Sequence, residues 1–278
     1  MLWVPQKGAM KIITNEGIVG TNAPGTALPS NSTTLLDGAV TEIISAANNV
    51  HDSWGIEIWI YGTGANNTIS QACADILIGG ATDDVLIPAL ICGYSGTAGI
   101  SPSYRYFFPV HIPQGKRIAA TIASVRTSIT ARIVIRLYGG TPPPWRVGSR
   151  VTTYGTQVNN AQGQDVVPSQ SGAAASATAL VASTTYDHFA FLPGFQPHND
   201  ASITPTGFVN VGIGVGAATE ERIGTWWFSK TTDDVCGGPL GPQPLFRDIP
   251  SGSRLTMLAS NVGANDTGGY DGLIYAVT

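Results

Sequence analysis

Charged residues are scarce in this sequence. Lys, Arg, Asp and Glu make up 12% of its 278 residues, with a formal net charge of −4, about half the usual share of charge. Only three cysteines are present. None of them lies in a Cys-x-x-Cys or Cys/His cluster, so the sequence predicts neither a zinc site nor a disulfide framework.

Long apolar runs are also missing. No stretch of about 18 apolar residues occurs, which excludes a membrane-spanning helix. Residues 1–8 lack the charged-then-apolar order of a signal peptide, and we therefore do not expect one. No long segment has a 3.6-residue apolar period, and 34 glycines and 18 prolines interrupt the chain. A helical protein is therefore not expected.

The familiar catalytic and cofactor motifs are absent as well. The four histidines have no metal-binding spacing, and no Gly-x-Ser-x-Gly elbow or Walker-type lysine is found. The acidic pairs Asp83-Asp84 and Glu220-Glu221 indicate a turn that occurs in both halves of the chain, with a calcium-binding loop as the alternative. The sequence thus predicts no catalytic, cofactor-binding or metal-ligating residue, no cofactor, and a protein that is not an enzyme.

Short alternating segments are what the sequence does contain. The clearest is residues 132–138, where Arg132, Val134, Arg136 and Tyr138 would share one face and the intervening aliphatic residues the other. The segment around Pro88 indicates an edge strand or a bulge, because proline cannot donate to a sheet ladder. Many such strands, separated by Gly, Pro and Asn, predict an all-β protein built from antiparallel β-sandwiches of jelly-roll type.

One motif occurs twice. Ile112-Pro-Gln-Gly-Lys-Arg117 and Ile249-Pro-Ser-Gly-Ser-Arg254 lie 137 residues apart, as do the two acidic pairs. The common offset predicts an internal duplication. We therefore expect an N-terminal arm (1–26), a first sandwich (27–140), a proline-rich linker (141–150) that is stiff and extended, and a second sandwich (151–278). The arm is expected either to be disordered or to dock on a neighbour.

Basic residues are concentrated in one part of the chain. Residues 85–164 contain eight basic side chains and no acidic one. This segregation predicts a surface for an acidic partner, including another copy of the chain; solvated arginines that merely share a sequence window are the alternative. The predicted partner-binding residues are Arg105, Lys116, Arg117, Arg126, Arg132, Arg136, Arg146 and Arg150.

The combination of an arm, two duplicated β domains, low charge and the repeated Ile-Pro-x-Gly-x-Arg turn resembles the virion structural proteins of tailed bacteriophages. The resemblance implies a virion location and a protein that decorates or reinforces the particle as a capsid decoration or minor structural subunit. Its partners would be itself, as a homo-oligomer, and other capsid or tail proteins. The alternative function is a receptor- or glycan-binding module, for which exposed aromatic residues would provide the platform. No membrane partner is expected, and nucleic acid is disfavoured by the negative net charge.

Overall fold

The computed structural model describes residues 10–16, 24–62, 71–79, 82–92, 103–127, 129–141, 143–157, 162–169, 174–197, 207–216, 220–231, 235–239, 243–261 and 269–278. Every regular element within these ranges is a β-strand. The predicted all-β fold class is confirmed. Within the same ranges, no helix could cross a membrane.

Nine strands form the first sandwich. They are β1 (Met10–Thr14), β2 (Thr26–Pro29), β3 (Thr41–Ile44), β4 (Ser53–Gly62), β5 (Ala72–Gly79), β6 (Asp83–Ile91), β7 (Ser103–Phe108), β8 (Arg117–Ser124) and β9 (Thr130–Gly140). Sheet I has the order β1–β9–β4–β7, and β2 also pairs with β9. Sheet II has the order β3–β8–β5–β6.

Ten strands form the second sandwich. They are β10 (Val151–Tyr154), β11 (Gln164–Val166), β12 (Ser176–Val181), β13 (His188–Pro197), β14 (Gly207–Val215), β15 (Glu221–Thr231), β16 (Val235–Pro239), β17 (Leu245–Ile249), β18 (Leu255–Asn261) and β19 (Tyr270–Val277). Sheet III has the order β10–β19–β13–β17, and β11 also pairs with β19. Sheet IV has the order β12–β18–β14–β15–β16.

The two sandwiches have the same topology. In each, the chain passes back and forth between the two sheets, and the strand order of sheets I and II is repeated in sheets III and IV, with β16 as one additional strand at the end of sheet IV. All pairs of named strands are antiparallel (for example β4 with β9, and β13 with β19). This is the arrangement of a jelly roll. The predicted duplication of antiparallel sandwiches is therefore confirmed.

In each jelly roll, two short strands together occupy the first strand position of the sheet order. β1 and β2 pair with successive parts of β9, as β10 and β11 pair with successive parts of β19. Asn15 lies between β1 and β2, and its amide accepts from the Ile135 N–H (2.7 Å) and donates to the Ile133 carbonyl (3.0 Å). Residues 10–16 of the predicted arm thus lie along the first sheet of their own chain.

Strand alternation places the core between the sheets. On β4, Ile56, Ile58 and Ile60 are fully buried, because successive side chains of a strand point to opposite faces. The inward aliphatic and outward polar faces predicted for residues 132–138 are confirmed by the burial pattern of β9. The residues paired with the β4 isoleucines on the inner face are Tyr104, Tyr106, Phe108, Ile133, Ile135 and Leu137.

The repeated motif forms the same turn in both halves. Gly115 and Gly252 both have positive φ angles, 75° and 83°, a conformation that glycine adopts without steric cost. The residue before each glycine donates its N–H to an aspartate, to Asp52 Oδ1 (2.8 Å) in the first copy and Asp187 Oδ1 (2.7 Å) in the second. The turn leads directly into β8 or close to the start of β18.

The arginine that ends the motif pairs with the repeated acidic residues. Arg117 forms an ion pair with Asp83, and Arg254 forms one with Glu220 at 2.7 Å. The duplicated arginines and carboxylates, each 137 residues apart, therefore link β8 to the start of β6 across β5, and β18 to the residue before β15 across β14. This contact explains why the acidic pair recurs.

The sandwiches share one continuous hydrophobic core. Tyr275 of sheet III projects into the open edge of the first sandwich, between β6 and β7. Its hydroxyl accepts from the Ile91 N–H (2.9 Å) and donates to the Ala89 carbonyl (3.1 Å). Its ring packs edge-on against Tyr106 and Phe108, with centroids 5.6 and 5.8 Å away. The second sandwich thus provides hydrogen-bond partners for backbone groups of β6, an edge strand of the first.

A bulge makes this contact possible. The pairing of β5 with β6 shifts register near Pro88 and Ala89, and Ala89 has a positive φ of 53°. Asp75 Oδ1 accepts the Ala89 N–H at 2.7 Å, and Thr153 of β10 donates to the Pro88 carbonyl at 2.5 Å. The predicted edge strand or bulge at Pro88 is confirmed, and its freed backbone groups are hydrogen-bonded, as buried ones generally are.

Buried polar groups also join the sandwiches. Asp271, fully buried on β19, accepts from Gln71 Nε2 (2.6 Å) of the first sandwich and from Gln196 Nε2 (3.1 Å) of the second. The Tyr104 hydroxyl donates to the Phe195 carbonyl at 2.7 Å. Because leaving such groups unpaired is costly, this contact fixes one relative placement of the two sandwiches.

The segment between the sandwiches is also held by contacts. The Trp145 ring lies 6.1 Å from Trp54 of the first sandwich and 6.3 Å from Phe246 of the second. The Gly148 N–H donates to the Pro109 carbonyl at 2.7 Å. The domain boundaries at 141–150 stay a prediction, although this segment does lie between the last strand of sheet I and the first strand of sheet III.

Candidate interaction surface

The outer face of sheet I carries an unusual combination of polar and aromatic residues. Glu57 and Trp59 point outward from β4, Arg105 from β7, and Arg136 and Tyr138 from β9, because they alternate with buried inward residues. We call these five residues the Trp59 face. Antiparallel pairing places Glu57 opposite Arg136 and Trp59 opposite Arg105.

Glu57 is the centre of the Trp59 face. Its side chain is only 2% exposed, yet it accepts hydrogen bonds from Trp59 Nε1 (3.0 Å), Arg105 Nε and the Tyr138 hydroxyl. Arg136 lies 3.6 Å from its second oxygen. A buried carboxylate needs such partners because its desolvation is expensive.

These contacts alter the acidity of the cluster. Burial alone would raise the pKa of Glu57, but the hydrogen bonds from Tyr138, Trp59 and Arg105 outweigh it and lower that pKa. Burial, followed by the hydrogen bond to Glu57, raises the pKa of Tyr138 to about 12. Glu57 is therefore a carboxylate and Tyr138 a neutral phenol at neutral pH.

Trp59 lies over this cluster and between two guanidinium groups. Its ring centroid is 5.3 Å from Arg105 Cζ and 5.1 Å from Arg136 Cζ, within the range of a cation–π contact. The ring remains 38% exposed. Tryptophan and arginine are the residues most enriched at energetically dominant positions of protein interfaces, and here they are held in one arrangement by Glu57.

The matching face of the second sandwich is buried. The shared ladder of β4–β9 and β13–β19 places Tyr275 at the position of Arg136, and Gly194 at that of Trp59. Tyr275 is 0% exposed because it packs on the first sandwich. The same face of a duplicated unit is thus covered in one copy and exposed in the other.

The predicted basic residues do not form one surface. Three of them, Arg105, Arg132 and Arg136, lie on the outer side of sheet I. Lys116 and Arg117 belong to the repeated turn, and Arg126 follows β8. Arg146 lies over the Phe189 ring (4.6 Å) and 3.6 Å from Asp248, and Arg150 lies over the Tyr186 ring (4.7 Å).

Folding therefore brings acidic partners to a basic stretch of sequence. Besides Asp83 and Asp248, the carboxylates of Glu16 and Glu57 pair with arginines of this window. All four acidic residues come from outside residues 85–164. Whether the eight basic residues bind a partner stays a prediction, but three of them are placed together on the side of sheet I that bears Trp59.

A second exposed aromatic pair lies on sheet IV. Phe208 of β14 and Trp227 of β15 are 45% and 44% exposed, and their rings meet edge to face with centroids 6.5 Å apart. Their neighbours on the same strands, Val209 and Phe228, are fully buried in the core. This pair has no guanidinium over it in any described contact and presents free ring surface.

His188, Cys73 and Cys92 are buried side chains with structural roles. Among the described residues, no group of three or more His, Cys, Asp or Glu residues has an arrangement that suits a metal ion. His188 is buried between the Tyr154 hydroxyl (2.7 Å) and the Thr278 hydroxyl (3.1 Å), where it joins β10 and β13 to the C-terminus. Cys73 and Cys92 are free and buried, as small core residues.

No protein-family model and no curated protein matches this sequence. Solved structures do match. PNGF-II shares 8% identity with a TM-score of 0.38, and the match covers 98% of this chain but only 65% of PNGF-II. A peptide-N(4)-(N-acetyl-beta-D-glucosaminyl) asparagine amidase shares 8% identity, with a TM-score of 0.31 and 97% and 96% of the two chains covered.

Two further solved structures match. The tandem CBM22-1–CBM22-2 domain of Paenibacillus barcinonensis Xyn10C shares 12% identity, with a TM-score of 0.28 and 98% and 92% coverage of the two chains. Infectious bursal disease virus, Gx strain, shares 10% identity, with a TM-score of 0.22 and 97% and 71% coverage. At these identities and TM-scores the likeness assigns no role to this chain.

The prediction that the chain is not an enzyme was wrong as an exclusion. An amidase is among the structures that match over nearly the whole chain. The sequence argument rested on contiguous motifs, whereas side chains from separate strands meet on a sheet face, as Glu57, Arg105 and Tyr138 do. At 8% identity, the match transfers no catalytic residue to this chain.

The sequence predicted only part of the Trp59 face. Arg105 and Arg136 were predicted as binding residues, but Glu57 and Tyr138 were not. Alternation around Trp59 on one strand and around Arg136 on another was the available signal. It could not show that β4 lies between β7 and β9, which is what joins these residues.

Proposed function

We propose that this chain is a structural subunit of a virus particle, where it assembles with copies of itself and with other particle proteins. The observation that carries the proposal is the continuous core shared by two jelly rolls whose strand orders match apart from the additional strand β16. A subunit whose halves share one core presents its contact surfaces in one relative geometry, which a closed symmetric assembly needs.

Three further observations support this function. The composition and the duplicated motif resemble bacteriophage virion proteins, residues 10–16 complete the first sheet, and the Trp59 face combines a half-exposed tryptophan with ordered arginines. The finer assignment, to a protein that decorates or reinforces a bacteriophage particle, belongs to the same proposal. Its location would be the virion.

The test is the amount of the chain in purified particles. Particles produced by cells that carry the gene would be banded on a density gradient, and the copy number of the chain relative to the other particle proteins would be measured by quantitative mass spectrometry. A structural subunit is expected at a fixed, symmetry-related copy number across preparations. A chain that is found only in the soluble fraction would contradict the proposal.

A glycan-binding function is the second candidate, and the Phe208–Trp227 pair favours it. Exposed aromatic rings provide the apolar surface on which sugar rings stack, whereas two guanidinium groups already lie over the Trp59 ring. Glycan-array binding that is lost in Trp227→Ala and kept in Trp59→Ala would support this function. No binding by the folded wild-type chain would remove it.

A further inference from the structure

The outer face of sheet IV carries exposed side chains that alternate with core residues. On β15, Thr225 and Trp227 are exposed, whereas Trp226 and Phe228 are buried in the core. On β14, the same alternation places Phe208 on the outer side, where its ring meets the Trp227 ring edge to face. The two rings thus form an aromatic surface at one end of this sheet face.

A guanidinium group lies beside the aromatic surface. The antiparallel ladder places Asn210 opposite Trp227, and Asn210 Oδ1 accepts from Arg222 Nη1 at 3.4 Å. The Arg222 side chain passes over Gly212, since a Cβ added to this glycine would lie 3.1 Å from Arg222 Nε. The bare glycine backbone therefore lets the arginine lie across the strand. We call Phe208, Asn210, Arg222 and Trp227 the Trp227 face.

The charge of Arg222 is not balanced by a described carboxylate. The two neighbouring carboxylates bind other arginines, Glu220 to Arg254 at 2.7 Å and Glu221 to Arg247 at 3.2 Å. In the part of the chain that the structure describes, the hydrogen bond of Arg222 goes to a neutral amide, and its side chain is exposed. Such a guanidinium can bind the carboxylate of a ligand through two parallel N–H···O bonds.

Neutral hydroxyl groups surround the rings. Ser229 lies opposite Phe208 in the ladder, and Ser260 lies opposite Asn210. Both serines are half-buried, and Thr225 next to them is exposed. A sugar presents C–H groups that pack on aromatic rings and hydroxyl groups that exchange hydrogen bonds with amides and hydroxyls. The chemistry of the Trp227 face therefore matches a saccharide.

The corresponding place in the first sandwich is occupied by protein. The ladders place Cys73 at the position of Asn210, and Ile91 at that of Trp227. Both are at most 1% exposed, and the Ile91 N–H donates to Tyr275 of the second sandwich. In the second sandwich, β16 fills the edge beside β15 and lies against β7. A further sandwich is therefore not needed at this edge, and the Trp227 face stays exposed.

Charge disfavours an acidic macromolecule as the ligand. Residues 165–278 contain four basic and ten acidic residues, a net charge of −6. Nucleic acids and strongly acidic protein surfaces are bound by many cations together, whereas the Trp227 face contains one, Arg222. A ligand with one acidic group on a hydroxylated scaffold fits this arrangement better.

We propose that the Trp227 face binds an acidic saccharide, with a sugar ring packed on Trp227 and a sugar carboxylate bound by Arg222. Phe208 extends the apolar surface, and Asn210 holds the guanidinium in place. The inference rests on the glycan-binding function, the second candidate above, and names the class of its ligand. It does not depend on whether the chain is a particle subunit.

The test is isothermal titration calorimetry of the full chain with matched acidic and neutral probes. Oligogalacturonate and sialyllactose are each compared with their methyl esters, which keep the sugar and remove the charge. The wild type is expected to bind at least one acid about 10-fold or more tightly than its ester, the effect of a charged hydrogen-bonded pair. This preference should shrink as salt is added.

Two variants separate the roles of the ring and the charge. Trp227→Ala should weaken binding of acid and ester alike by at least about 10-fold, because the stacking surface is lost. Arg222→Gln should still bind the ester but should bind the acid no more tightly. Ester binding by Arg222→Gln also shows that the variant is folded.

Each variant has a matched control. Phe246→Ala removes a similarly exposed ring (46%) from β17, outside sheet IV, and should bind as the wild type does. Lys11→Gln removes one positive charge from an exposed position of β1 in the first sandwich, and should keep the preference for the acid.

The outcomes distinguish this inference from the function on which it rests. Equal affinity for acid and ester, a preference that survives Arg222→Gln, or equally tight binding of a polyaspartate peptide would each overturn the acidic saccharide as ligand. Neutral glycans bound through Trp227 without any acid preference would leave the glycan-binding function standing. A folded wild type that binds neither acidic nor neutral glycans would remove that function together with this inference.

Discussion

Tyr275→Phe removes one oxygen atom from the contact between the sandwiches. The aromatic ring keeps its volume and its packing against Tyr106 and Phe108, so no cavity is expected to form. What disappears is the acceptor of the Ile91 N–H and the donor to the Ala89 carbonyl. Both backbone groups belong to buried residues of the edge strand β6.

The magnitude follows from these two groups. An unsatisfied buried donor or acceptor costs about 1–3 kcal/mol, and partial relaxation of the edge strand places the sum at roughly 2–4 kcal/mol. With an unfolding entropy of about 2 cal/mol/K per residue, this lowers the melting temperature by roughly 3–7 °C. Tyr61→Phe, whose exposed hydroxyl donates to the Pro24 carbonyl, is the matched control and should change stability by at most about 0.5 kcal/mol.

Chemical denaturation followed by tryptophan fluorescence and by circular dichroism measures both quantities. Because the core is continuous, the wild type should unfold in one transition seen by both probes. Tyr275→Phe should shift that transition to lower denaturant. A variant as stable as Tyr61→Phe would show that the hydroxyl does not hold β6, and the account of the shared core would fail.

Three other predictions concern single positions. Gly115→Ala and Gly252→Ala should each destabilise the protein by about 1–2 kcal/mol through the positive φ angle alone, since a Cβ added at either position would meet no other atom within 4 Å. If the two variants lose unequal amounts of stability in thermal unfolding, the two turns are not equivalent. Glu57→Gln should lower the free energy of unfolding by about 2–3 kcal/mol, because charged hydrogen bonds are lost from a buried site. Since the pKa of Glu57 is lowered on folding, the free energy of unfolding of the wild type should fall as pH drops below about 4.5. This part of the pH dependence should be absent in the variant. Burial lowers the pKa of His188, so the folded state binds a proton there less readily than the unfolded state does. The free energy of unfolding should therefore be at its plateau above about pH 6.5 and decrease below it. If His188→Gln shows the same pH dependence as the wild type, His188 is not its cause.

The fold class could be read from the sequence because strands leave local signals. Alternation in residues 132–138 predicted both faces of β9, and the proline at position 88 predicted the edge strand and its bulge. The offset of 137 residues between the repeated motifs predicted two equivalent sandwiches. Each of these predictions uses a pattern within a few consecutive residues, or a comparison of the sequences of the two halves.

The sequence alone determined that this chain builds two jelly rolls that each contain one copy of the repeated turn, since glycine at a positive φ and alternation of apolar residues act locally. Only the tertiary structure decided which charges meet. Of the eight basic residues that follow one another in the charge pattern, Arg105, Arg117, Arg136 and Arg146 form ion pairs with carboxylates from other parts of the chain. Tertiary structure also decided that Tyr275 is buried while Trp59, at a related place, is exposed, because that difference depends on how one sandwich rests on the other.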